Sequence, residues 1–180
     1  QESRGYEHWA KIHNLKQAAR TLNFLTENRI DSYAELSAKI AEVNAASEQA
    51  AGALKGVERR LADMAVLIKH ITTYQKTKPV YDAYRRAKDK AAYRAAHESS
   101  IILFEAAAKA VKPALIGGKL PNVGALQAEY AALGEQKEKL YADYGKLKKQ
   151  VKEYDVIKRN IDSILRRESE PERGKENVRG

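Results

Sequence analysis

Two runs of this sequence repeat the same spacing of apolar side chains, and that spacing constrains the fold more than any other feature. The first is Leu36, Ile40, Val43, Ser47, Ala50, Leu54, Val57, Leu61, Met64, Ile68, Ile71 and Gln75. The second is Leu126, Tyr130, Leu133, Lys137, Leu140, Tyr144, Leu147, Val151, Tyr154, Lys158, Ile161 and Leu165. Alternating steps of four and three residues keep side chains on one side of an α-helix and mark the d and a positions of a heptad. Each seam is about 60 Å long at 1.5 Å per residue. Two matched seams in one chain can bury each other by folding back as an antiparallel hairpin. Small residues then meet large ones, with Ser47 opposite Tyr154, Ala50 opposite Val151 and Val57 opposite Tyr144. Leu54 pairs with Leu147 and Leu61 with Leu140. A parallel coil between two chains uses the same seams, so a homodimer stays open.

Composition agrees with long helices. Glycine (10) and proline (4) are scarce, and aromatic residues are only 7% against 32% charged, which suggests a thin core. The expected fold is all-α: a long antiparallel helical hairpin, or coiled coil, with an N-terminal packing helix and a small helical tip. The expected divisions are a packing helix in 1–29, a first arm in 30–75, a basic tip in 76–121, a second arm in 122–167 and a disordered polar tail in 168–180. Ser32 and Glu35 have the capping-box spacing that starts the first arm. Lys78-Pro79 opens the tip, because proline suits a first helical turn, giving one short helix from Pro79 to about Lys90. A second covers Ser100 to Val111, where Ile101, Ile102, Leu103, Phe104, Ala107 and Val111 supply the apolar face, and the stretch from Tyr93 to Glu98 is a further helical candidate. Ile116 to Asn122 reads as a loop, with Asn122 capping the second arm.

The chain has no cysteine, which excludes disulfides, thiolate nucleophiles and cysteine zinc sites. No apolar run reaches the roughly 20 residues that cross a bilayer, so no membrane insertion and a cytoplasmic location are expected. Tyr6 to Leu15 gathers Glu7, His8, Trp9 and His13, but on a helix the two histidines stand about 140° apart and cannot share an ion. Trp9, Ile12, Ala19 and Leu22, with Leu15 and Leu25 beside them, instead draw the stripe of a packing helix. His70 and His97 are isolated. No catalytic motif and no cofactor or metal site is expected, so the chain does not read as an enzyme.

A net charge of +9 calls for an anionic partner, nucleic acid being the commonest. Residues 76–121 hold ten basic against four acidic residues, a net +6 in a quarter of the chain. Lys76, Lys78, Arg85, Arg86, Lys88, Lys90 and Arg94 lie there, interleaved with Tyr81 and Tyr84, and with Tyr74 and Tyr93 close by. Phosphate neutralisation and base stacking could act together at such a site. The tyrosines could equally form the small core of the tip, with the lysines solvating it.

The segments "GYEHWAKIHNLKQAARTLNFLTE" and "YAEL", the later "TYQKTKPVYDAYRRA" and the "LPNVGALQAEYAAL" entry to the last arm resemble the C-terminal helical region of relaxase/mobilization nuclease proteins. The resemblance runs from about Gly5 to Leu165. It implies proteins that nick DNA at a transfer origin through a tyrosine and a histidine-bound metal in an N-terminal nuclease domain. No residue here matches those motifs. What the resemblance implies for this chain is a non-catalytic accessory module whose partner is DNA, single-stranded or transfer-origin duplex, and which could also dock relaxosome or coupling proteins. The alternative is a structural coiled coil for self-association or docking.

Overall fold

The computed structural model describes residues 2–169, with side chains described for His8 and for residues 11–167. Helices account for almost all of it: α1 (Glu2–Glu27), α2 (Tyr33–Arg86), α3 (Lys90–Ala96), α4 (Glu98–Val111), a 3-10 turn (Lys112–Ala114) and α5 (Val123–Ser169). The rest of the described residues form turns and connections, with an isolated bridge between Ile116 and Lys119 across Gly117 and Gly118, whose φ values of 58° and 76° only glycine adopts freely. The fold is all-α, with long helices packed against each other. None of the described helices is long and apolar enough to cross a membrane. The proposed tail falls almost entirely outside the described residues, as does the side chain of Trp9.

Two compact units divide the chain. The first joins residues 1–51 to 143–180, and so holds α1, the start of α2 and the later part of α5. Its core is Phe24, Ile30, Leu36, Tyr154 and Ile157, flanked by Leu25, Ile40, Val43 and Ile161. Phe24 meets Tyr154 edge-on at 5.0 Å, the arrangement favoured by ring quadrupoles. α1 does serve as a packing helix, but on a different face from the one its apolar stripe suggested. Ile12, Leu15 and Leu22 are exposed, while Thr21 and Phe24 are buried. Thr21 tolerates burial because its hydroxyl donates to the Gln17 carbonyl (2.8 Å) and accepts from Asn160 Nδ2 (3.1 Å).

The turn from α1 to α2 closes with Ile30 N–H bonded to Leu25 O and Arg29 N–H to Thr26 O. That is a Schellman motif, with Arg29 in the left-handed region at φ 55° where glycine usually stands. Ser32 Oγ then accepts from Glu35 N–H, and Glu35 Oε2 accepts from Asp31 N–H, one residue earlier than the ideal capping box.

The second unit is residues 52–142. Here α2 continues through Pro79 to Arg86 without interruption, so the separate helix expected from Pro79 does not exist. Proline cannot donate to the Gln75 carbonyl, a defect costing about 3 kcal/mol in a helix interior. Three features offset it. Lys78 pairs with Asp82 across the defect at 2.9 Å, the Thr77 hydroxyl donates to Thr73 O at 2.7 Å, and Tyr74 and Tyr81 on either side both pack on Phe104. α4 buries Ile101, Phe104, Ala107 and Val111, whereas Ile102 and Leu103, expected on the same face, are half exposed. Asn122 caps α5 as expected, its Oδ1 accepting from Ala125 N–H.

The heptad seam of α2 is present: Leu36, Leu54, Met64 and Ile71 are buried and the other a and d positions are half-buried as far as Ile68, with Gln75 exposed. Its pairing with α5 differs from the expected one by about one heptad. Within the second unit Glu58 reaches Lys137 (3.7 Å) and Arg60 reaches Glu129 (3.1 Å), whereas the expected pairing put Val57 opposite Tyr144 and Leu61 opposite Leu140. Within the first, Tyr33 donates to Asp162 at 3.0 Å, and Ile40 and Val43 pack against the core that holds Tyr154.

Candidate nucleic-acid interface

The basic residues of residues 76–94 are carried by the last turns of α2, the connection at residues 87–89 and the short α3. Arg85 and Arg86 occupy the final turn of α2, where their charge complements the helix dipole. Asp89 then caps α3, its Oδ1 accepting from Ala92 N–H at 3.0 Å. Lys88 and Lys90 flank that cap. Lys76, Arg85, Arg86, Lys88 and Lys90 are all exposed, and among the described residues none of them forms an ion pair, although the charges of Arg86 and Arg85 also reach the Asp82 carboxylate.

The remaining candidates are placed differently. Lys78 is tied to Asp82, and the hydrogen bond holds the Asp82 carboxyl below its ordinary value and the Lys78 ammonium above its own. Arg94 grips Glu105 with both guanidinium nitrogens, at 2.8 and 3.3 Å, and lies 5.8 Å from the centre of the Tyr84 ring. The Glu105 hydrogen bond raises Arg94 further above its ordinary range, and Arg94 in turn lowers Glu105.

Tyr81 stacks on Phe104 at 4.2 Å and lies 5.8 Å from Tyr84. Tyr84 reaches Tyr93 at 6.5 Å, and Tyr93 stacks on His97 at 4.1 Å. Tyr74 packs on Phe104 from another direction at 4.8 Å. The rings therefore run as one chain that locks the end of α2 to α3 and α4. His97 ends α3 and begins α4 in one residue, with its N–H bonded to the Arg94 and Tyr93 carbonyls.

The structure thus sets exposed cations on the last turns of α2, the connection and the start of α3, the same segments whose tyrosines form a half-buried aromatic cluster beside the Arg94–Glu105 pair. Glu105 was not among the sequence candidates. It stands eleven residues from Arg94 on another helix, so no helical spacing announces the pair. Among the described residues no group of His, Asp and Glu is placed to hold a metal ion. No protein-family model, curated protein or solved structure matches this chain.

Proposed function

We propose that this chain is a non-catalytic helical module of a DNA relaxase, holding DNA by its phosphates at the corner between α2 and α3. The observation that carries the reading is the group Lys76, Arg85, Arg86, Lys88 and Lys90, exposed and without an ion pair among the described residues, on a chain of net charge +9. The resemblance to relaxase C-terminal regions supports DNA as the polyanion. Because Tyr81 and Tyr84 stack within the protein, contact falls to phosphates and not to unstacked bases.

Salt dependence tests this. Each neutralised phosphate releases counterions and contributes a log–log slope of about −0.9 on duplex or −0.7 on single strands. Replacing Arg85, Arg86, Lys88 and Lys90 together with glutamine should flatten the slope by about one unit per lost contact, on every DNA sequence alike, with helical content unchanged. Tyr81→Ala should lower the melting temperature rather than discriminate single strands from duplex. A wild-type chain with no salt-sensitive affinity for either form of DNA would refute the reading.

A further inference from the structure

α4 is apolar on two sides. One, centred on Phe104, is buried in the second unit; on the other, Ile102 and Leu103 are 50% and 52% exposed, and Ala106 is exposed as well. At about 100° per residue, Ile102 and Ala106 stand about 160° around the axis from Phe104 and roughly one turn from each other. A helix that is apolar all round is ordinarily covered all round. The charges at the ends of the exposed side tell what covers it. Glu98 lies in the first turn and Lys109 in the last, about three whole turns apart and therefore on the same flank. Neither forms an ion pair among the described residues. Together they leave this side neutral, on a chain of net charge +9.

We propose that two copies of the chain meet here, α4 against α4, antiparallel across a two-fold axis level with Phe104. Ile102 of each copy then lies on Ala106 of the other, a large side chain over a small one. On one flank Leu103 meets its own symmetry mate, and Ser99 comes beside Ala110. On the other flank Glu98 of each copy meets Lys109 of the other, because the two-fold sets like flank on like flank and first turn on last turn. An acid in the first turn and a base in the last also suit the helix dipole within one chain. Only the antiparallel pair makes them partners, since a parallel pair sets Glu98 on Glu98 and Lys109 on Lys109. A nucleic acid finds no excess of cations on this side of α4. Two helices of about 21 Å cover less than the roughly 1,200–2,000 Å² of a standard interface, so the dimer is weak and reversible. It carries two basic corners on one particle, since the end of α2 and α3 belong to the same unit as α4.

Sedimentation of the full chain in about 0.15 M salt, where charges more than about 8 Å apart are screened, should show its mass rising toward twice that of one chain across the micromolar range. Ile102→Glu should weaken this association about tenfold or more, because it presses a carboxylate onto the alanine of the other copy. Glu98→Lys and Lys109→Glu should each weaken it alone, whereas the two variants mixed should associate with each other as the wild type does. No effect within one chain, on the dipole or on folding, produces that rescue. The glutamine variant of the tip should associate as the wild type does, which separates this surface from the proposed DNA surface. Circular dichroism checks that each variant keeps its helices, and Ile102→Ala offers a milder change should the charge unfold α4. A wild type that stays monomeric to millimolar concentration overturns the proposal. So does undiminished association of the folded Ile102→Glu chain, which puts the interface elsewhere, or failure of the mixed variants to associate. Retention of the wild type on phosphatidylcholine vesicles, abolished by Ile102→Glu, gives this side of α4 to a lipid surface and overturns it too.

Discussion

Arg29 occupies a left-handed backbone position that most side chains resist, and it does so because the Schellman hydrogen bonds and the burial of Ile30 fix the turn around it. Arg29→Gly should therefore stabilise the chain by about 0.5–1 kcal/mol, the relief of a strained φ set against the greater freedom of unfolded glycine. Urea denaturation checks this, and a loss of stability would mean that the arginine makes a compensating contact. Arg94 and Glu105 form the other informative pair of residues. The hydrogen bond from Arg94 lowers the Glu105 carboxyl, so its contribution is present above the ordinary carboxylate value of about 4.5 and is lost as pH falls through the lowered folded value. Glu105→Gln should remove that part of the acid sensitivity: melts near neutrality should fall only slightly, because both side chains are well exposed, and the two chains should converge as pH falls below about 4.5. The cations of the candidate site were legible in the sequence as charge density. What the tyrosines and Arg94 do was not, since their partners Phe104 and Glu105 lie on a different helix and are fixed by packing, not by spacing.

Helix existence was readable from the heptads, and helix pairing was not, for a reason built into the repeat. Sliding one seam past the other by seven residues returns every a position to a d position, so the apolar pattern is satisfied at either register. Charged and polar neighbours break the tie: Glu58 with Lys137, Arg60 with Glu129 and Tyr33 with Asp162 are available at the observed pairing. The α5 seam also turns away from a strict heptad near its end. Ile157 is buried at 2% while Lys158 is exposed, because α1 adds a second surface for α5 to cover and a straight helix needs 3.6 and not 3.5 residues per turn. Pro79 misled in the opposite sense, since its local preference for a helix start yields to packing on both sides. Pro79→Ala should accordingly stabilise the second unit, by up to about 3 kcal/mol, restoring the bond to the Gln75 carbonyl. Hydrogen exchange should show the gain as slower exchange along residues 76–86. An unchanged or faster rate would mean that the proline relieves a strain in α2 that alanine restores.

α2 and α5 each continue from one compact unit into the other, and the divisions fall after Ala51 in α2 and after Ala142 in α5. In α2 that point is marked by Gly52 and Gly56. A helical glycine costs about 0.5–1 kcal/mol relative to alanine, because it surrenders more backbone freedom on folding and has no side chain to pack. It is retained at no structural cost only where a Cβ has no room, and neither position meets that condition: a Cβ added at Gly52 or Gly56 meets nothing within 4 Å. Both also lie in a helix where φ is negative, so alanine adopts the backbone without strain. Gly52→Ala with Gly56→Ala should thus add roughly 1–2 kcal/mol, the two contributions nearly additive because the residues share no buried partner. For a chain of this size that corresponds to a rise in melting temperature of about 3–6 °C. The effect belongs to the whole molecule and not to one unit, because the stiffened stretch is the covalent helical connection through which ordering in one unit propagates into the next. Melting followed by circular dichroism should therefore shift as a single curve. A shift confined to part of the helical signal, or no shift at all, would show that the two units unfold independently or that the glycines serve a motion that alanine suppresses without stabilising the fold.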